Sequence, residues 1–198
     1  MTVAAIDDAW METCLIGISV IGGSEVQFAA ITETVDFDVG DKDIEGIPIL
    51  NGGRVTKFNP EADSTITFEA YPVEAGTDSG TTGQGFFDLV HSQDATEPTR
   101  IENDHVRNKY RVVVTWTTDV ITTASQDIDV NEHAFRIAMA NGRFTSVKPS
   151  FTDGILKFTV TFKCPAFDKS SGSNVMMEST DGTILIAALN AYTTSNNW

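Results

Sequence analysis

The sequence predicts a mainly β protein: two packed antiparallel sheets, sandwich- or barrel-like, with one short flanking helix, a long loop and terminal arms. Three observations predict it. Threonine, a strand former, is used 25 times in 198 residues. Several segments alternate apolar and polar residues with a period of two, as in a strand with one buried face. Asn141-Gly142 and Asp153-Gly154 separate runs rich in β-branched and aromatic residues, and such dipeptides favour hairpin turns.

Taken in order, the first twelve residues read as an arm ahead of the first strand, CLIGISVIG (Cys14–Gly22). EVQFAAITETVDFDVG (Glu25–Gly40) reads as a second, long strand, with Val35, Phe37 and Val39 on one face and Thr34, Asp36 and Asp38 on the other. GDKDIEGIPILNGG (Gly40–Gly53) reads as a loop, long for a compact domain and so a candidate contact element. RVTKF (Arg54–Phe58) and STITFEAYPV (Ser64–Val73) flank Asn59-Pro60 and are expected to pair as a hairpin. In the latter, Ile66, Phe68 and Ala70 oppose Thr65, Thr67, Glu69 and Tyr71. Ala75–Gly85 is a glycine-rich break before FFDLVHS, a short helix whose Phe86, Phe87, Leu89 and Val90 would plug a sheet edge. RNKYRVVVTWTTD (Arg107–Asp119) is a strand, and Ala134–Phe167 reads as a three-stranded meander turning at Asn141-Gly142 and Asp153-Gly154. The tail from Lys169 is rich in Ser, Asn and Thr; within it TILIAALNAY (Thr183–Tyr192) reads as either a last strand or a docking segment. One domain spanning 1–198 is expected, with 1–12 as an arm and about 169–198 as a C-terminal extension.

The formal net charge is −15, which argues against tight binding to nucleic acid through phosphate contacts. The charge is uneven. Residues 1–104 carry 20 acids and 4 bases, whereas residues 105–198 carry 8 acids and 9 bases. Seven lysines against 17 aspartates also fit a high-salt setting. No apolar run reaches the roughly 18 residues of a membrane span. The acidic N-terminus does not read as a signal peptide, so a soluble, cytoplasmically made protein is expected. Cys14 and Cys164 are then expected to be separate reduced thiols.

Catalytic patterns are thin. DIDVNE (Asp127–Glu132) opens like a calcium loop, yet Glu132 and Ala138 stand where Gly and Glu are required. DFDVGDKD (Asp36–Asp43) is acidic without ligand spacing. His91, His105 and His133 lack a His or Cys three or four residues away, the spacing zinc sites favour. GTTGQG (Gly80–Gly85) lacks the Lys-Ser/Thr of a phosphate loop, and no G-x-S-x-G occurs. No catalytic residue, cofactor or metal ligand is assigned, and the expectation is a protein that is not an enzyme.

The order of segments carries more. A long second strand, the GDKDIEG loop, GGRVTKFNPEADSTITFEAYPVEAG, a helix at FFDLVH, YRVVVTWTTD and PSFTDGILKFTVTFKCPAFDKSSGSNV together resemble the major tail (tail-tube) proteins of long-tailed viruses of bacteria and archaea, over about residues 12 to 180. The resemblance implies a structural protein of the virion tail. It implies hexameric rings stacked head to tail into a tube, one sheet of each subunit joining a barrel around the lumen, with loops and arms reaching the next ring. It implies self-association, tape-measure, tail-terminator and distal tail partners, and double-stranded DNA passing without specific binding. An acidic wall would repel that DNA. On this reading Thr34, Asp36, Asp38, Thr65, Thr67 and Glu69 line the lumen. Asp41, Lys42, Asp43, Glu45, Asn51 and Arg54 belong to an inter-ring loop. The alternative is a β-sandwich adhesin or carbohydrate-binding module of a virion or cell surface, drawing on Trp10, Trp116 or Trp198.

Overall fold

The structure, a computed structural model, describes residues 13–29, 35–40, 44–58, 62–70, 108–152, 154–170 and 172–198. Ten strands lie in these segments: β1 Thr13–Val20, β2 Glu25–Ala29, β3 Asp36–Asp38, β4 Ile44–Pro48, β5 Arg54–Phe58, β6 Ser64–Ala70, β7 Tyr110–Thr117, β8 His133–Thr152, β9 Ile155–Cys164 and β10 Val175–Asp181. Eight of them hydrogen-bond in the order β2-β1-β7-β8-β9-β6-β3, with β10 also on β8, and every pairing is antiparallel.

The strand β8 belongs to both layers. Its first half pairs with β7 and β10 (Val114↔Ile137, Met177↔Ile137), and its second half pairs with β9 (Val147↔Val160). The ladder shifts register between Tyr110 and Val112 and again between Phe144 and Ser146, and Asn141 between them has φ 57. These irregularities bend the strand, so the two halves of the sheet face each other as two packed antiparallel layers. Ile16, Ile18, Val112, Val114, Ile137 and Met139 from the first layer meet Ile66, Phe68, Phe158, Val160 and Phe162 from the second in one core.

Asn141-Gly142 therefore does not turn the chain back. The expected three-stranded meander is one 20-residue strand and its partner. Gly142 is needed for close approach: a Cβ there would run into the Phe162 ring and stand 2.6 Å from the Lys163 carbonyl oxygen. At the second dipeptide the chain does turn, with Thr152 opposite Ile155 and Gly154 at φ 77.

Two further expectations change. RVTKF does not pair with STITFEAYPV; β5 pairs with β4 (Ile47↔Val55, Glu45↔Lys57), so the expected long loop contains one arm of a hairpin. The two described ends of the expected long second strand take different partners, β2 pairing with β1 and β3 with β6. β10, in the Ser/Asn/Thr-rich tail, was not expected. Thr183–Tyr192 is a docking segment rather than a strand, joined to the body by the Ile128↔Ile186 bridge. The expected arm 1–12, the break Ala75–Gly85 and the helix at Phe86–Ser92 lie outside the described residues.

Candidate assembly surface

The two layers present very different outer faces. On the first, Arg111, Val113, Thr115, Thr117, Ala134, Arg136, Ala138 and Ala140 alternate with the core residues and are themselves buried. Residues 118–132 and 182–198 cover them. Arg136 is wholly buried; its guanidinium donates to Glu178 Oε1 (2.6 Å), Gln126 O (2.8 Å) and Ala187 O (2.5 Å). Arg111 donates to Asn190 O (2.7 Å) and Asn197 O (3.1 Å), stands 3.7 Å from Glu25 and lies over the Tyr192 ring. Burial lowers the Arg111 pKa and the Glu25 carboxylate opposes that shift. A cleft of about 580 Å³ opens here, lined by Glu25, Arg111, Ser125, Asn190 and Tyr192; apart from Arg111 Nε, which is buried without a partner, the Arg111 head is spent on tying the tail down.

On the second layer the outer face is open and polar. β3 pairs with β6 as Asp36↔Thr67 and Asp38↔Thr65, so five of the six residues expected to share a face do share one; Thr34 lies outside the described residues. The same face continues over β9 with Lys157, Thr159, Thr161 and Lys163 and over β8 with Arg143, Ser146, Lys148 and Ser150. Across its middle, Thr67 Oγ1 lies 3.5 Å from Thr161 Oγ1, and Lys157 Nζ lies 3.6 Å from Glu69. The described face thus carries three acids and four bases. It is hydroxyl-rich and close to neutral rather than acidic. The basic half was missed, although ILKFTVTFKC shows the same alternation that marked β3 and β6.

The hairpin β4–β5 is bare. Among the described residues its two strands pair only with each other. Ile44 (58%), Ile47, Ile49, Leu50 (106%) and Val55 are all exposed. Of the residues expected in an inter-ring loop, Glu45 faces Lys57 at 3.9 Å, Arg54 pairs opposite Pro48, and Asn51 sits at the turn, where Gly52 has φ 74. Asp41, Lys42 and Asp43 lie outside the described residues. Among the described residues, no three His, Cys, Asp or Glu side chains gather to hold a metal ion. Asp129 and Glu132, from the calcium-like stretch, are engaged locally: Asp129 N donates to Asp119 Oδ2 and Glu132 accepts from Thr118.

No protein-family model and no curated protein matches the chain. Solved structures do. The chain is similar to the sheath/tube terminator of an extracellular contractile injection system in its extended state (14% identity, TM-score 0.47, covering 84% of this chain and 94% of that one). It is similar to the sheath-tube complex of such a system (16%, 0.46, 90% and 95%). A third is the tube-terminating cap of the anti-feeding prophage (12%, 0.43, 91% and 100%). These likenesses are loose in geometry, and the functional reading rests on the surfaces of this chain.

Proposed function

We propose that this chain is a structural subunit that self-assembles into stacked rings, hexameric and joined head to tail, forming the tail tube of a virion through which genome DNA passes. The observation that carries the reading is the bare hairpin β4–β5. Exposed apolar side chains on an element with no core of its own mark a surface made to be covered by another molecule. Its stability as a lone two-stranded unit in water is marginal at best, and docking against another copy supplies the missing layer. The open polar layer would then face the lumen, since the other layer is closed by its own tail. Hydroxyls and charges of nearly balanced sign make a wet wall with little net positive charge to hold phosphates. Tape-measure, terminator and distal tail proteins are the expected partners at the tube's ends.

The adhesin reading is less favoured. Trp116 is half-buried and stacks on Phe135 at 5.8 Å, and Trp198 packs against a buried cluster, so neither stands out as a sugar platform. Negative-stain microscopy of the purified protein tests the proposal. Intact protein is expected to give rings or tubes, and protein with residues 44–58 replaced by a short flexible linker should keep its β circular dichroism but give none. Monomers from the intact chain, or unchanged tubes from the deletion, would overturn it.

A further inference from the structure

The open polar face is graded in charge from one margin to the other. One row across the sheet reads Asp38 (β3), Thr65 (β6), Lys163 (β9), Arg143 (β8). The next rows place Asp36 at the β3 margin and Lys148 at the β8 margin. Asp36, Asp38, Arg143 and Lys148 are all exposed. The inner charges that can reach one another, Glu69 and Lys157, do pair. The marginal ones cannot. Strands lie about 4.8 Å apart, so β3 and β8 are separated by three spacings, roughly 14 Å, more than the Debye length of about 8 Å at physiological salt. Among the described residues no ion pair joins Asp36, Asp38, Arg143, Lys148 or Lys163 to any partner.

We propose that neighbouring copies of this chain meet side by side through these unlike margins, with the Asp36/Asp38 margin of one copy against the Arg143/Lys148 margin of the next. This rests on the ring reading above and names the lateral contact within a ring, which is distinct from the hairpin. Like margins would set carboxylate against carboxylate or cation against cation, so a two-fold contact through either is disfavoured. Unlike margins attract, and an unlike contact propagates in one direction around a closed ring. Two bases and two acids per contact also leave the wall's marginal charges compensated once the ring is closed.

Charge reversal tests it. Asp36→Lys/Asp38→Lys makes both margins basic; Arg143→Glu/Lys148→Glu makes both acidic. At low salt each variant alone is expected to lose rings by at least about tenfold relative to the unsubstituted chain, with circular dichroism unchanged. An equimolar mixture of the two is expected to form rings again, containing equal numbers of each chain by native mass spectrometry. A single chain carrying all four substitutions should also assemble. If the unsubstituted chain forms rings but either variant alone does so equally well, or the mixture fails to recover them, the margin contact is wrong while the ring reading stands. If the unsubstituted chain forms no rings, the ring reading itself fails and the contact with it.

Discussion

Replacing Arg136 by Met removes the central tie of the tail. Methionine keeps the length of the apolar stem but none of the donors. Two main-chain carbonyls, Gln126 O and Ala187 O, lose their charged partner, and each unsatisfied buried group costs about 1–3 kcal/mol. Glu178 keeps some water, its side chain being 31% exposed, so its loss is the smaller part. Relief from burying a guanidinium offsets some of this. A net loss of about 3 kcal/mol follows, which in a domain of this size is a fall of about 6–12 °C in Tm. Urea denaturation followed by far-UV circular dichroism measures it. Limited proteolysis should cut within residues 183–198 well before the body unfolds. Arg136→Met/Glu178→Met should recover part of the loss, because the stranded carboxylate is gone. A midpoint shift worth less than about 1 kcal/mol, with the tail still protected, would refute the idea that this arginine holds it.

Gly142→Ala should destabilise the fold by about 1–3 kcal/mol, since the added carbon meets the Lys163 main chain, which cannot swing aside; a thermal melt equal to that of the parent would contradict this. Burial pushes the pKa of both Cys14 and Cys164 up to about 12, above the ordinary thiol range, so in alkali the unfolded chain ionises first. Stability is then full below about pH 9 and falls above it by about 1.4 kcal/mol per pH unit per thiol. The denaturant midpoint should drop between pH 9 and 10, and Cys14→Ala/Cys164→Ala should flatten that slope. Both thiols are free and buried, so alkylation should be slow in native protein and rapid in urea. Thr67→Lys/Thr161→Lys places two cations in mid-face, away from the margins. In assembled virions DNA release should slow at low salt and recover at high salt; unchanged kinetics at both would put this face outside the conduit.

Period-two alternation was enough to read β3 and β6 with the correct buried faces, because it reports burial directly; β7 and β9 were legible as strands, and β7 is buried on both faces. What alternation does not report is partner choice. RVTKF lies between two turn signals, Asn51-Gly52 before it and Asn59-Pro60 after it, and local chemistry does not say which of them closes the hairpin. Asn141-Gly142 carries a strong hairpin signal, yet the close approach of Phe162 and Lys163 uses the same two residues to bend a continuous strand. β10 had no local pattern to find; Glu178 is placed by Arg136, a contact 42 residues distant in sequence. Arg111 and Arg136 were visible as charges inside the apolar runs RVVV and AFRIAM, a signal of tethering. The basic half of the open face is equally legible, since ILKFTVTFKC alternates as β6 does and sets Lys157, Thr159, Thr161 and Lys163 on one face.

Each layer is joined by strands roughly a hundred residues apart: β1 aligns Thr13 with Thr117, and β6 aligns Ser64 with Cys164. Such distant pairings slow the search, because loop closure precedes any gain from contact. The hairpins β1–β2, β4–β5 and β8–β9 are the local pieces, able to form within about 1–10 μs. During synthesis at about 5–20 residues per second, β6 emerges long before β9 exists and β1 long before β7. A ribosome-bound fragment ending before residue 150 would hold β6 and the second half of β8 without β9, and the first half of β8 without β10. The second layer is therefore completed late, and its open face, from the β3 margin to the β8 margin, exists only once β9 has been made.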